Sequence, residues 1–463
     1  MEGPLWVRQT RPGRARRTGS IRSQRRRSQV RYFNDRDPVV VRLLRGTSGR
    51  LLGPSFERLW LGSVFASSGD GLALGAVPLL AVAVDPRPFA VSLVVAADSL
   101  PWLLMALPAG EFADRFERGP LIALMNCLRA AVILVAVLLI LTDQMTIALL
   151  IVIALANSAG RAVYYSSMQA MAVALVEPDA LERANGVLSG TEAATEHLAG
   201  PVVGTSLFAL SQSAPFIGES IALMLSCFPF ARFHLKTPPQ TTAESSRSMW
   251  DGVKHLMADR RLRVLLFMVA SLAGLQGMVT GVLVLLATTE WGIRPALYGV
   301  FLAAGAVGNL LGSVTAARLV RRFGSAPTLI GTAVVSGVGY LLMAAAHGWL
   351  TAGPAFILMG VAVAAGSVVA ISLRQRLTPT DLMGRVGSAW RGIVWGALPV
   401  GAVLAGSLAA IGGLRLPLVL AGALQCAVGI VFARPLLRSV QGDSGSSVRR
   451  GPAHRRARHA RRS

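Results

Sequence analysis

Gly110-Glu-Phe-Ala-Asp114-Arg115-Phe-Glu-Arg118 is a charged, glycine-headed turn set between two long apolar segments. Charges this dense do not lie in hydrocarbon, so the turn belongs at a membrane face. A weakened copy follows as Ser313-Val-Thr-Ala-Ala317-Arg318-Leu-Val-Arg321-Arg322, with Arg115 aligned to Arg318 and Arg118 to Arg321. A second echo pairs Val176-Glu-Pro178-Asp-Ala-Leu181-Glu-Arg183-Ala-Asn-Gly186 with Leu377-Thr-Pro379-Thr-Asp-Leu382-Met-Gly-Arg385-Val-Gly387. The two offsets are 203 and 201 residues. Independent matches at nearly one offset indicate a membrane unit written twice.

Composition agrees. Of 463 residues, 53% are hydrophobic and 15% charged, a membrane profile with length for a dozen spans. Apolar segments fall at 59–83, 88–109, 120–141, 146–170, 187–210 and 215–234, then at 263–288, 297–317, 326–346, 350–373, 388–411 and 417–437. The expected architecture is all-α: twelve transmembrane helices in two six-helix halves, 58–234 and 263–437. A linker at 235–262 joins them, and its Met249–Met257 stretch is amphipathic and expected to lie along the membrane surface.

The net charge of +23 belongs mostly to the ends. Residues 1–57 hold 14 arginines against 4 acids, and residues 434–463 hold 9 arginines against Asp443. The tails 1–57 and 438–463 therefore read as disordered and basic, suited to anionic lipid rather than nucleic acid. Loops after even-numbered spans carry Arg115, Arg118, Arg183, Lys236, Arg260, Arg261, Arg318, Arg321, Arg322, Arg376 and Arg385, while the others carry only Arg87, Arg294 and Arg415. The positive-inside rule then puts both termini in the cytoplasm, and the chain is expected in the inner membrane of a bacterial cell. Cys127, Cys227 and Cys426 offer neither metal-ligand spacing nor a disulfide framework. No phosphate-binding Gly-Lys-Ser/Thr loop and no catalytic motif appears, so neither a nucleotide-driven pump nor an enzyme is expected, and no cofactor.

Ionisable residues inside spans are costly and become functional candidates. At ~1.5 Å per residue, Asp70, Arg129, Arg161 and Glu196 all lie ~15 Å deep, about half of a ~30 Å hydrocarbon core. Four charges from four helices of one half at one depth suggest a polar cluster beside a central cavity. Asp70, in Ser67-Ser68-Gly69-Asp70-Gly71, is the leading candidate for proton coupling, because small neighbours would admit water or substrate. A permanent ion pair with an arginine is the alternative reading. Glu192, Glu196, Gly200 and Gly204 form one helical stripe, with the glycines suited to close packing and Pro201 to bending. Asp98 could line the outward-facing mouth of the cavity or offset the backbone group freed by Pro101; Gln276, Asn309 and Gln425 are weaker cavity candidates, and Trp395 an apolar one. Glu219 reads as interfacial and His197 as a bystander.

These motifs resemble the major facilitator superfamily, within it the branch of enterobactin exporters and macrolide or multidrug efflux proteins. The resemblance rests on the turn 110–118, Gly200-Pro201-Val-Val-Gly204, Ser372-Leu-Arg374-Gln-Arg376-Leu with the Pro379–Arg385 segment, and Trp395-Gly-Ala-Leu-Pro399. It spans residues from about 58 to 437. Departures are Ala317, where the second copy should carry an acid, and Glu117-Arg118, where an arginine pair is usual. The resemblance implies a cytoplasmic gate built from Gly110, Asp114, Arg115 and Arg118 against the eleventh span, with Arg385 and Arg391 as partners and Arg318 and Arg321 in the second copy. Gly200, Pro201 and Gly204 resemble the motif of antiporters. The implied activity is export of an amphipathic small molecule in exchange for protons by a monomer in the lipid bilayer. Alternatives are an importer or lipid flippase of the same fold, or a non-transporting membrane sensor or scaffold.

Overall fold

The computed structural model describes residues 53–104, 116–231 and 245–448. Gly110, Asp114 and Arg115 of the opening turn, Lys236, residues 1–52 and residues 449–463 lie outside the described residues. The helices of the first half are α1 (Pro54–Val84), α2 (Pro88–Leu104), α3 (Arg118–Leu141), α4 (Ile147–Leu175), α5 (Leu181–Glu192), α6 (Gly200–Leu210) and α7 (Ala214–Ala231). A π-helical turn, Ala193–Ala199, joins α5 to α6. After the linker helix α8 (Ser245–Ala258) come α9 (Arg260–Leu285), α10 (Pro295–Phe323), α11 (Ser325–Ala345), α12 (Trp349–Leu377), α13 (Met383–Gly412) and α14 (Arg415–Val448). Among the described residues, ten helices are long and apolar enough to cross a membrane, and α2 is a shorter apolar helix.

In hydrocarbon every backbone polar group must be satisfied within its own segment, so these apolar runs become helices. Their ends carry local signals. Thr146 caps α4 by accepting from Leu149 N–H at 3.3 Å, and Asp259 caps α9 by accepting from Arg261 N–H at 2.7 Å. Between α1 and α2, Asp85 Oδ1 accepts from the backbone N–H of Arg87 at 3.0 Å, while its carboxylate pairs with the Arg87 guanidinium. That pairing holds the Asp85 carboxyl below its ordinary range. Large apolar side chains such as Leu138, Val152 and Ile430 point outward, as a lipid-facing surface requires.

The two halves repeat the same packing. In the first, α1 packs on α6 and α7, α3 on α4 and α7, and α2 on α4. In the second, α9 packs on α13 and α14, α11 on α12 and α14, and α10 on α12. Across the halves, α2 packs on α13 and α10 on α6, which is the same contact with the halves exchanged. The second sequence echo also keeps its backbone: a 3-10 turn precedes α5 at Pro178–Ala180 and α13 at Thr380–Leu382. Ala180 and Leu382 share φ −104 and ψ −2.

Three local features differ from the sequence reading. The second copy of the turn is not a loop: Ser313–Arg322 are the last turns of α10, and the chain reverses at Gly324, whose φ of 87 favours glycine. Arg318, Arg321 and Arg322 are exposed there and sit where a helix C-terminus favours cations. The amphipathic helix α8 does not offer its apolar face to lipid. Leu256 is fully buried and packs with Val253 and Met257 on the second half, while Gly252 abuts the Arg385 backbone. Lastly, α14 runs on to Val448, since extending a packed helix needs no new nucleus.

The α1–α6 seam depends on glycine. A Cβ at Gly204 would meet the Leu72 backbone, and one at Gly200 the Gly71 backbone. Gly204→Val should destabilise the protein by about 1–3 kcal/mol, read as a lower midpoint of thermal unfolding in detergent. Gly190, with open space around its Cβ position, should tolerate alanine without loss.

Candidate functional site

Asp70 sits in the middle of α1 between Gly69 and Gly71, and each glycine admits a neighbour. Gly69 lies against the Glu219 backbone of α7, and Gly71 against Thr195 and Glu196 of the π-turn. The small residues thus bring helices together around Asp70 rather than opening a path to it, and Asp70 is buried. Ser67 reinforces the contact by sharing a 2.7 Å hydrogen bond with Thr195, and Trp60 Nε1–H donates to Thr191 at 2.8 Å.

The structure brings Asp70, Arg129, Arg161 and Glu196 into one network. Arg129 of α3 pairs with Asp70 Oδ1, and Arg161 of α4 pairs with Glu196. Arg161 Nε also lies 3.5 Å from Asp70 Oδ2, so the aspartate bridges both arginines. Arg129 is 1% exposed, and its aliphatic stem rests against Gly160, where a Cβ would meet Cγ at 2.7 Å. Its Nε–H donates to Asn157 Oδ1 at 2.9 Å, and Asn157 donates in turn to Glu219 Oε1 at 3.3 Å. Tyr165 donates toward Glu192 at 2.8 Å and lies 3.0 Å from Glu196 Oε2. Arg161 is the member left partly open, at 18% exposure, and it stacks near the Tyr165 ring.

Glu219 corrects the expectation of an interfacial residue. It is fully buried, because α7 turns it inward against Gly69 and Asn157 rather than toward the nearby helix end. Asp70, Glu196 and Glu219 are the buried carboxyls of this network and Arg129 its buried guanidinium; Arg161 is partly open, and Glu192, half-buried, joins through Tyr165, so carboxyls outnumber guanidiniums. Glu219 Oε2 has no hydrogen-bond partner. Buried charge without a partner is expensive, and the carboxyls here outnumber the cations that could compensate them.

Glu196 reaches this network from the π-turn. Gly200 N–H bonds to Thr195 O, five residues back, and Pro201 supplies no N–H at all. The widened turn places Glu196 inward and His197 outward. Glu192, Glu196 and His197 have ligand atoms within 4.8 Å of one another, but Arg161 and Tyr165 already engage both oxygens of Glu196. Beyond the turn, Gly200 and Gly204 pack on α1, while Pro201 and Thr205 touch Gly299 of α10. Thr205 Oγ1 accepts from Gly299 N–H at 3.1 Å, tying the halves together.

The remaining candidates separate. Asp98 is exposed on α2 and within electrostatic reach of Arg161, Asp70 and Arg129; Ser158 of α4 donates to its carbonyl at 2.5 Å. The Trp395 ring lies tilted with its centroid 5.4 Å from that of Trp102, which itself meets Tyr165 edge-on at 5.4 Å. This aromatic chain links the charged network to α13 of the other half. Gln276 and Trp395 line one cavity in the second half, whereas Asn309 is exposed on α10 outside it. Of the gate residues, Arg118 is buried and donates to Ala170 O of α4 at 3.1 Å, and Arg391 is exposed on α13. Sequence reasoning missed Asn157, Gly160 and Tyr165; their clue was the polar run Asn157-Ser-Ala-Gly160-Arg161 inside an apolar span.

Removing one partner of a buried pair leaves the other uncompensated. Arg129→Met should cost about 3–5 kcal/mol, and the double variant Asp70→Asn/Arg129→Met should recover most of it. Unfolding midpoints of the three proteins in one detergent check this.

The family described as transmembrane secretion effector matches residues 49–458. No curated protein matches the sequence. Among solved structures, the chain is similar to the nucleoside transporter NupG, with 13% identity over 83% of this chain and 99% of that one and a TM-score of 0.67. It is similar to a bacterial homologue of the human lysosomal transporter Spinster, inward-facing and unoccupied, at 12% identity, 83% and 97% coverage and a TM-score of 0.64. A bacterial homologue of the iron transporter ferroportin, inward-facing, matches at 18% identity with 82% and 98% coverage and a TM-score of 0.63. The likeness to these structures is one of fold, and the family and its structural neighbours are transporters rather than enzymes. The chain belongs to the transmembrane secretion effector family, within the major facilitator superfamily of membrane transporters.

Proposed function

We propose that this protein is a secondary transporter that exports an amphipathic small molecule across the bacterial cytoplasmic membrane in exchange for protons. The observation that carries this reading is the buried network with more carboxyls than guanidiniums. Such a network takes up or releases a proton when its surroundings change, which is the event a proton exchanger needs. Asp70 bridges both arginines and is the residue through which proton binding changes the pairing. Glu219 holds the surplus proton, and Arg161 and Asp98 present the network to the substrate path. Gly200, Pro201 and Gly204 let α6 adjust against α1 and α10 as the halves rock.

Twelve spans accommodate the described helices when the shorter α2 counts as one span and α5, the π-turn and α6 form another, interrupted one. Side-chain contacts between the halves include Phe89 and Ser92 on Gly406, Leu103 on Gly396, and Thr205 on Gly299. Alternating access would separate and rejoin the halves at the cytoplasmic ends of their helices. There Gly110, Asp114, Arg115 and Arg118 would meet Arg385 and Arg391 when the transporter closes inward. Export is favoured by the secretion description of the family and by the resemblance to enterobactin and macrolide exporters. A monomer with both termini in the cytoplasm completes the reading.

The test is expression in a bacterial host stripped of its own efflux pumps, challenged with antibiotics, dyes and siderophores. Wild type should lower accumulation of at least one amphiphile in a manner that collapses with the pH gradient, and Asp70→Asn should fall to the level of empty vector while remaining folded in the membrane. Gradient-dependent export that survives undiminished in Asp70→Asn contradicts the coupling role.

A further inference from the structure

A cavity of about 320 Å³ lies among α9, α11, α12, α13 and α14 of the second half. Among the described residues no charged side chain lines it, in contrast to the network of the first half. Two polar groups in its wall are buried without partners. Tyr340 is fully buried and its hydroxyl bonds to nothing; Gln425 is 2% exposed and its Oε1 has no donor. The other end of the Gln425 amide is fixed, because Nε2–H donates to Ser336 Oγ, which in turn donates to Thr332 O at 2.8 Å. Gln425 therefore cannot rotate to satisfy its oxygen without losing a bond. Leaving such a group orphaned is costly, and a ligand would relieve that cost. Gln276 and Trp395 complete the polar and aromatic part of the wall, and Leu272 and Leu398 the apolar part.

We propose that this cavity binds an uncharged, mostly apolar molecule that offers one hydrogen-bond donor to Gln425 Oε1 and one acceptor to the Tyr340 hydroxyl. An alcohol, phenol or amide on an apolar body meets both demands. The volume lies at the small end of ligand cavities, roughly 300–1,000 Å³, so it holds one ring system or the neutral portion of a larger molecule. Ions are excluded, since nothing in the wall compensates a charge. Trp395 belongs both to this wall and to the contact with Trp102, so an occupant would press on the junction between the halves. This deepens the transport reading by naming the neutral part of the exported molecule, yet binding itself needs no proton coupling.

The probe is 2-naphthol, neutral near pH 7, measured by equilibrium dialysis against the purified full chain with detergent-only blanks. The 2-naphthoate anion and the naphthylmethylammonium cation serve as charged counterparts. Wild type should bind 2-naphthol saturably, about one per chain, and both ions should fail to compete. Tyr340→Phe removes only the orphaned hydroxyl and should weaken binding about fivefold; Ala273→Phe, which fills the cavity, should abolish it. Asp70→Asn should bind 2-naphthol as wild type does, so a failure of proton coupling leaves this result standing and the reverse also holds. Absence of saturable binding (a cavity that holds water only), indifference to both Tyr340→Phe and Ala273→Phe, or equal binding of the ions would overturn the proposal.

Discussion

An ionised side chain in hydrocarbon has no solvent to stabilise it, and that constraint organises the first half of this protein. Arg129 is among its most deeply buried side chains, and Asp70, Asn157 and Gly160 all serve it. Asp70 compensates its charge, Asn157 orients its guanidinium, and Gly160 makes room for its stem. Bringing four helices close enough to do this requires the glycines on either side of Asp70. The α1–α6 seam of Gly71, Gly75, Gly200 and Gly204 extends the same approach toward the arginine-poor end. Packing and electrostatics are therefore one problem here: a Cβ at the seam would separate the charges it holds together.

The second half solves the same packing without the charges. Its helices pair in the same order, and its contacts with the first half are exchanged by the same pseudo-symmetry. Where the first half has guanidiniums and carboxylates, the second has an uncharged cavity bounded by Gln276, Tyr340 and Gln425. The halves meet through Thr205 with Gly299 and through Trp102 with Trp395. One junction adjoins the π-turn that carries Glu196; the other adjoins Tyr165, which binds that glutamate. The charged network is thus joined through packed side chains to both of these contacts between the halves.

The duplication and most spans were legible in the sequence, because long apolar runs have one solution in a membrane and loop arginines mark their ends. That Asp70, Arg129, Arg161 and Glu196 lie at one level of the bundle was legible because a helix has a fixed rise. Depth alone does not give direction. Glu219 lies near a helix end and was read as interfacial, yet its face of α7 turns into the bundle. The helix α8 was misplaced for a related reason: an amphipathic pattern fits a lipid surface and a protein groove equally well, and Arg385 and Leu256 show which it found. Pro201 signalled a missing backbone bond without saying whether the chain would bend or widen into a π-turn. Tyr165 and Asn157 escaped notice because a neutral polar group in a span costs too little to stand out.

The central claim is that the network of the first half carries more carboxyls than its arginines balance, and so holds a proton. Infrared difference spectroscopy on the purified protein reads this directly through the carbonyl stretch of a protonated carboxylic acid. Near neutral pH, wild type should show such a band from a buried group, and Glu219→Gln should remove it while leaving the fold intact. A wild-type spectrum with every buried carboxyl ionised would contradict the account.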